Sequence, residues 1–135
     1  MQMRIMLVDD HKLTRDEVRG LISAEPDMSV VAEAENGEEA VTVARNERPD
    51  VIVMDIMMHG MNGIEATRRI LAEQPGIKVL ALSNHCGDSL VRAVLNVGGL
   101  GYVPKNKAFE ELVQAIRCVG AGQRYDSVGG ATRKV

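Results

Sequence analysis

Asp9 and Asp10 follow the apolar run Ile5-Met6-Leu7-Val8, Asp55 follows Val51-Ile52-Val53-Met54, Ser83 follows Val79-Leu80-Ala81-Leu82, and Lys105 follows Tyr102-Val103-Pro104. If these run ends meet, three carboxylates repel one another, and each holds its proton above the usual range unless a cation shares the site. A hard divalent ion meets that demand. Mg²⁺ takes oxygen ligands in an octahedron, keeps several waters, and uses one or two protein carboxylates beside phosphate oxygens, whereas Ca²⁺ wants a multi-ligand loop that this chain lacks. Lys105 then needs an anion, because an ammonium aimed at the same point would repel the metal, and a phosphoryl group is such an anion. Ser83 adds a hydroxyl able to donate to a phosphoryl oxygen. The chemistry that satisfies all five residues is an aspartyl phosphate formed with Asp55 as nucleophile. Singly, each has an ordinary reading: an acid after a strand is a turn former, Ser83 a cap, Lys105 a solvated charge. Their joint placement at successive run ends points to a site.

The elements that must position them are legible as short apolar runs alternating with helical periodicity, the pattern of a parallel sheet with crossover helices. Strands are expected near Arg4 to Val8, Ser29 to Ala34, Val51 to Met54, Lys78 to Leu82 and Gly101 to Val103. The last helix shows an apolar face of Phe109, Leu112, Val113 and Ile116, and an early one carries Val18, Leu21 and Ile22 before the Glu25-Pro26-Asp27 turn. Asn62 is placed to cap a third helix, with Glu65 reaching back to complete a capping box. Right-handed crossovers make a doubly wound, five-stranded α/β sheet in the order 2-1-3-4-5 the simplest arrangement, with Asp9, Asp10 and Asp55 meeting at its switch point. After Ala121 the pattern dissolves into a glycine-containing stretch, so residues 122–135 read as a flexible tail or linker after a domain spanning 1–121.

Composition removes several function classes. A net charge of −3 offers no attraction to nucleic acid or anionic membrane. Phe109, Tyr102 and Tyr125 are the only aromatic residues, too few for a base-stacking platform. Cys86 and Cys118 are far apart and lack metal-ligand spacing, so both read as reduced, packed thiols. No stretch approaches the roughly twenty apolar residues of a membrane span, and the N-terminus passes straight into a strand pattern without room for a signal peptide. The expected compartment is the cytoplasm.

Met6-Leu-Val-Asp-Asp-His11, Asp55-Ile-Met-Met-His-Gly-Met-Asn-Gly63, Ala81-Leu-Ser83 and Gly101-Tyr-Val-Pro-Lys105 together resemble the signatures of receiver domains of two-component response regulators. The resemblance covers residues 3 to about 121, and its parts are specific jointly rather than singly. Asp9-Asp10-His11 and the helix Phe109-Glu-Glu-Leu-Val-Gln-Ala-Ile116 are most similar to the NarL/FixJ subgroup. It implies a flavodoxin-like receiver fold and a phosphoacceptor switch with at most self-phosphorylation and self-dephosphorylation activity. Asp55 would take a phosphoryl group from a sensor histidine kinase. Asp10, Asp55 and the Met57 backbone carbonyl would ligate Mg²⁺, Asp9 would act through water, and Lys105 and Ser83 would bind the phosphoryl group. Tyr102 would change rotamer with Ser83. Phosphorylation would promote homodimers, and DNA would be reached only through a LuxR-type helix-turn-helix domain absent from this chain. The chain then reads as an excised receiver or a single-domain regulator; Arg133-Lys134-Val135, ending without a stop-like feature, favours excision.

Three positions depart from the family pattern: His59 stands where proline is usual, Asn84 is larger and more polar than many residues after the serine, and Pro104 precedes rather than follows the lysine. His59 and Asn84 are therefore expected as modulators of the phosphoryl group, and a phosphorylation-independent receiver-like interaction module is the alternative they keep open. An aspartate-nucleophile phosphatase is disfavoured, because Ile56 and Met57 stand where an Asp-x-Asp acid would be needed. A flavin-binding module lacks a phosphate loop and aromatic cover.

Overall fold

The computed structural model describes residues 2–84 and 87–126. The five apolar runs form β1 (Met3–Val8), β2 (Met28–Ala34), β3 (Val51–Asp55), β4 (Lys78–Ser83) and β5 (Gly101–Pro104). All pair in parallel, in the order β2-β1-β3-β4-β5-β6. The sixth strand, β6 (Tyr125–Asp126), corrects the five-stranded expectation. It pairs in parallel with Gly101 and Tyr102. Two residues are too short for a strand pattern; tertiary contacts specify them instead. Gly122 turns the chain at a φ of +83°, Tyr125 N–H donates to the Leu100 carbonyl at 2.8 Å, and the Tyr125 hydroxyl donates to Glu111 Oε1 at 2.6 Å. A Cβ at Gly101 would lie 2.6 Å from the Tyr125 carbonyl oxygen, so β6 can lie against β5 only because position 101 has no side chain. Of the expected tail, Ser127–Val135 lies outside the described residues.

Five helices, α1 (Lys12–Ser23), α2 (Gly37–Glu47), α3 (Gly63–Glu73), α4 (Asp88–Asn96) and α5 (Ala108–Gly120), cover both faces of the sheet. The pleat divides each strand between two cores. Ile5, Leu7, Val53 and Leu82 pack with Val18 and Ile22 of α1 and Leu112 and Ile116 of α5. Met6, Val8, Ile52 and Met54 pack with Ala40 of α2, Ile70 of α3 and Val94 of α4. Burial on both sides is why the strands read as unbroken apolar runs. Phe109, placed by periodicity on the buried face of α5, is 82 % exposed. Ala108, the residue before it, packs against the core, while Phe109 lines a groove beside α1. Cys118 is a half-buried free thiol, and Cys86 lies outside the described residues.

The segment between Asp55 and α3 is held by close backbone approach. Gly63 N–H donates to the Ile56 carbonyl at 2.9 Å, and a Cβ there would lie 2.1 Å from the Asp55 carbonyl oxygen. A Cβ on Gly37, the first residue of α2, would lie 2.6 Å from the Met61 carbonyl oxygen. Asn62 caps α3, its Oδ1 accepting from Glu65 N–H at 2.9 Å. The expected return bond from Glu65 gives way to ion pairs with Arg68 and Arg69, which hold the Glu65 carboxyl down at about 2.

Candidate functional site

The ends of β1, β3, β4 and β5 meet because their registers align: Val8 lies beside Met54, Asp55 beside Leu82, and Ser83 beside Pro104. This brings Asp9, Asp10, Asp55, Ser83 and Lys105 to one end of the sheet. Asp9, Asp55 and Ser83 are buried, and Asp55 is only 2 % exposed. Single ligand atoms of Asp9, Asp10, His11 and Asp55 all lie within 4.8 Å of one another.

Lys105 answers the charge of this cluster directly. Its Nζ is 2.7 Å from Asp9 Oδ2 and 3.4 Å from Asp55 Oδ2. The nearer contact is thus to Asp9, and Asp55 is left the less compensated acid. Burial, with the negative charge of Asp9 beside it, pushes the Asp55 carboxyl up to about 6, although Lys105 and the Met57 N–H pull the other way. That N–H lies 3.3 Å from Asp55 Oδ1. Burial opposes the charge on Asp10 too, but a hydrogen bond from His59 and the nearby His11 outweigh it and hold that carboxyl below its usual value.

Three shielded oxygens, Asp9 Oδ2, Asp10 Oδ1 and Asp55 Oδ2, accept no hydrogen bond of ordinary geometry. Their close neighbours are nitrogen centres, Lys105 Nζ for the first and third and His11 Nδ1 for the second. Solvent-shielded carboxylate oxygens without hydrogen bonds are costly, and a hard cation is the group that satisfies several at once. The donor set fits a divalent ion.

Each expected residue has a definite place. Ser83 and Tyr102 are buried, Tyr102 with its ring inside the core of α2, α3 and α4. Met57 is exposed at the start of the loop that leaves Asp55. Asn84 is exposed on the rim, and among the described residues no peptide bond is cis, so Pro104 leads into Lys105 through a trans bond. His59 Nδ1 lies 3.2 Å from Asp10 Oδ2. Two participants escaped the sequence reading. His11 donates its backbone N–H to Asp9 Oδ1 at 2.8 Å and sets Nδ1 2.9 Å from Asp10 Oδ1. Arg15 donates to the Asp9 carbonyl and pairs with Glu33. The position of His11, directly after the paired acids, was the signal for the first; Arg15 needed the strand-to-helix turn to be known. From the site a groove of about 700 Å³ runs between α1 and α5, with His11, Asn84 and Lys105 at its head and Val18, Leu21 and Phe109 along it.

Residues 5–117 match the response regulator receiver domain. The chain belongs to this family. This receiver is 41% identical over 124 residues to the transcriptional regulatory protein DegU of Brevibacillus brevis, covering 92% of this chain and 52% of that protein. It is 42% identical over 124 residues to the response regulator GacA of Pseudomonas viridiflava, covering 92% of this chain and 58% of GacA. The receiver thus spans little more than half the length of either relative. The crystal structure of a two-component response regulator, LuxR family, from Aurantimonas sp. SI85-9A1 superposes with a TM-score of 0.88 at 41% identity, covering 92% of this chain and 89% of that one. These relatives place the receiver among NarL/FixJ-type regulators. Among its described residues no helix is long and apolar enough to cross a membrane.

Proposed function

We propose that this receiver is a phosphoacceptor switch with Asp55 as the residue that takes the phosphoryl group. The observation that carries the proposal is the buried Asp55 carboxylate, whose Oδ2 accepts no hydrogen bond while Lys105 Nζ lies 3.4 Å away. An oxygen of Asp55 attacks the phosphorus of a phosphohistidine on a sensor kinase; the P–O bond forms, the P–N bond breaks, and the imidazole leaves with a proton. Lys105 moves its ammonium from Asp9 to the new phosphoryl oxygens, and Ser83 donates its hydroxyl to another. Asp10, Asp55 and the Met57 carbonyl would hold Mg²⁺, and Asp9 would assist through water. When present, the ion neutralises charge that builds on the transferring oxygens.

The phosphoryl group approaches where His11, Asn84 and Lys105 form the head of the groove. The Asp55 phosphate adds charge and acceptor oxygens, which favour the loop state that brings Ser83 and Lys105 against it. Tyr102 follows Ser83 and changes the surface of α4 and β5. That surface governs homodimer formation, and transcription is controlled through a DNA-binding portion of the whole protein, as the names of the DegU relative and the LuxR-family structure suggest. The receiver unit takes in β6 as well, a few residues past the 1–121 span expected from the sequence, and the whole protein works in the cytoplasm.

The test is intact-mass measurement after incubation with Mg²⁺ and a small phosphodonor. A single phosphoryl adduct is expected on the native chain and none on Asp55→Asn. Equal labelling of both, or of neither, overturns the assignment.

A further inference from the structure

Asp9 and Asp10 stand on the turn between β1 and α1, and the mutual repulsion of three carboxylates drives that turn away from Asp55. The start of α1 does not hold it through a cap, because the His11 side chain at the cap position makes no capping hydrogen bond. The restraint comes from inside the helix. Arg15 reaches back from the first turn of α1, and its Nη1 donates to the Asp9 carbonyl. That oxygen belongs to the planar peptide unit that carries the Asp10 N–H, so fixing it fixes the plane from which Asp10 projects. On its other side, the Asp9 N–H donates to the Ala34 carbonyl of β2 at 3.1 Å. The Asp9 backbone is thereby held from two directions.

Arg15 is itself oriented. Its Nε donates to Glu33 Oε1 at 3.0 Å, and only 12 % of its side chain is exposed. Arg19, one turn along α1, donates from Nε to the other oxygen of Glu33 at 2.7 Å. Glu33 lies on β2 beside Leu7 of β1, so Arg15 is tied to the strand pair from which Asp9 emerges. The planar guanidinium makes both directed bonds at once from different nitrogens, which the point charge of an ammonium does not reproduce. We propose that Arg15, oriented by Glu33, is a positioning residue that holds the Asp9–Asp10 turn ready for Mg²⁺ before the ion arrives. It acts through the Asp9 backbone and not by contact with the ion. The proposal rests on the reading that Asp10 holds a divalent ion. Partners that orient metal ligands typically change affinity by about 10–100-fold when they are removed.

The experiment is calorimetric titration with Mg²⁺ of the native chain, Arg15→Met, Glu33→Ala, the double variant and Arg117→Met, each also melted by circular dichroism. Arg117 pairs with Glu25 and Asp27 just past the far end of α1, so its variant reports what losing an arginine ion pair does away from the pocket. Arg15→Met is expected to bind Mg²⁺ about tenfold more weakly and Glu33→Ala about threefold more weakly. The double variant should bind no more weakly than Arg15→Met alone, because Glu33 acts through Arg15. Arg117→Met should melt earlier yet keep its Mg²⁺ affinity within about twofold of native. If Arg15→Met binds as the native chain does, while the native chain takes Mg²⁺ and is labelled at Asp55, the positioning role is wrong and the phosphoacceptor reading stands. Losses that multiply in the double variant overturn the relay from Glu33, and a loss in Arg117→Met equal to that in Arg15→Met overturns the proposal as general destabilisation. Should Arg15→Met fail to fold, Glu33→Ala decides, and an unchanged affinity there overturns the proposal. If the native chain neither binds Mg²⁺ nor accepts a phosphoryl group, both readings fall.

Discussion

Replacing Asp55 with asparagine should make the metal-free receiver more stable at neutral pH. Burial and the charge of Asp9 raise the Asp55 carboxyl from 3.8 to about 6, so the folded chain binds that proton more tightly than the unfolded chain does. For a raised acid the stability contribution is fully present below the unfolded value and is lost as pH climbs through the folded one. Each unit of displacement corresponds to about 1.4 kcal/mol, giving a ceiling of about 3 kcal/mol for the ionised group. Solvent relaxation around the pocket lowers that, and about 1–2 kcal/mol is the expected effect. Asparagine keeps the shape and removes the charge. In a domain of this size such a change raises the melting temperature by roughly 4–10 °C. Far-ultraviolet circular dichroism melts with a chelator present, at about pH 7.5 and about pH 4.5, check the reasoning. The gap between variant and native chain should be largest at the higher pH and shrink to about a third at the lower, where the folded native chain holds the proton but the unfolded chain has already released most of its own. Excess Mg²⁺ should raise the native melting temperature more than that of the variant, because the carboxylate then has its cation. An Asp55→Asn protein that melts at or below the native chain at neutral pH, or a gap that ignores pH, refutes the argument.

Gly63→Ala puts a methyl group where the Asp55 carbonyl oxygen is 2.1 Å away, so it should cost about 1–3 kcal/mol in urea denaturation and weaken Mg²⁺ binding together with it. Lys105→Met leaves Asp9 and Asp55 facing each other without their ammonium; it should destabilise the metal-free chain by about 3 kcal/mol at neutral pH, less in acid, and reduce the phosphoryl adduct seen by mass measurement. Tyr125→Phe removes the 2.6 Å hydrogen bond to Glu111 and should cost about 1–2 kcal/mol, with faster amide exchange at Tyr125 than elsewhere in the sheet.

Most of the sheet was legible because both faces of β1, β3 and β4 are buried, which leaves an unbroken apolar run that ends where the chain reaches solvent. The site residues stand at those ends, so reading the runs also located Asp9, Asp10, Asp55, Ser83 and Lys105. Features set by contact rather than by local pattern were not legible. β6 exists because Gly101 lets Tyr125 approach and Glu111 accepts its hydroxyl. Phe109 has the right spacing for the core, but it lies at the edge of the apolar face and lines the groove between α1 and α5 instead. Glu65 has the capping-box position, but two arginines one turn on outcompete a single backbone amide for its carboxylate. The grip of His11 on Asp9 and Asp10 depends on the turn from β1 into α1, which spacing alone does not describe.

The pocket stands on the boundary between two kinds of backbone. β1 and β3 are central strands, paired on both edges and covered on both faces, the arrangement whose amides exchange most slowly. Beyond β3 and β4, Met57, His59 and Asn84 stand on exposed loop positions, the kind of backbone that opens at least cost. The acid therefore sits at the end of a strand held from all sides, and the groups that admit water or a partner to it sit on exposed loop backbone. Access to the reactive carboxylate is thus set by backbone that can rearrange without unpairing the strand that carries it.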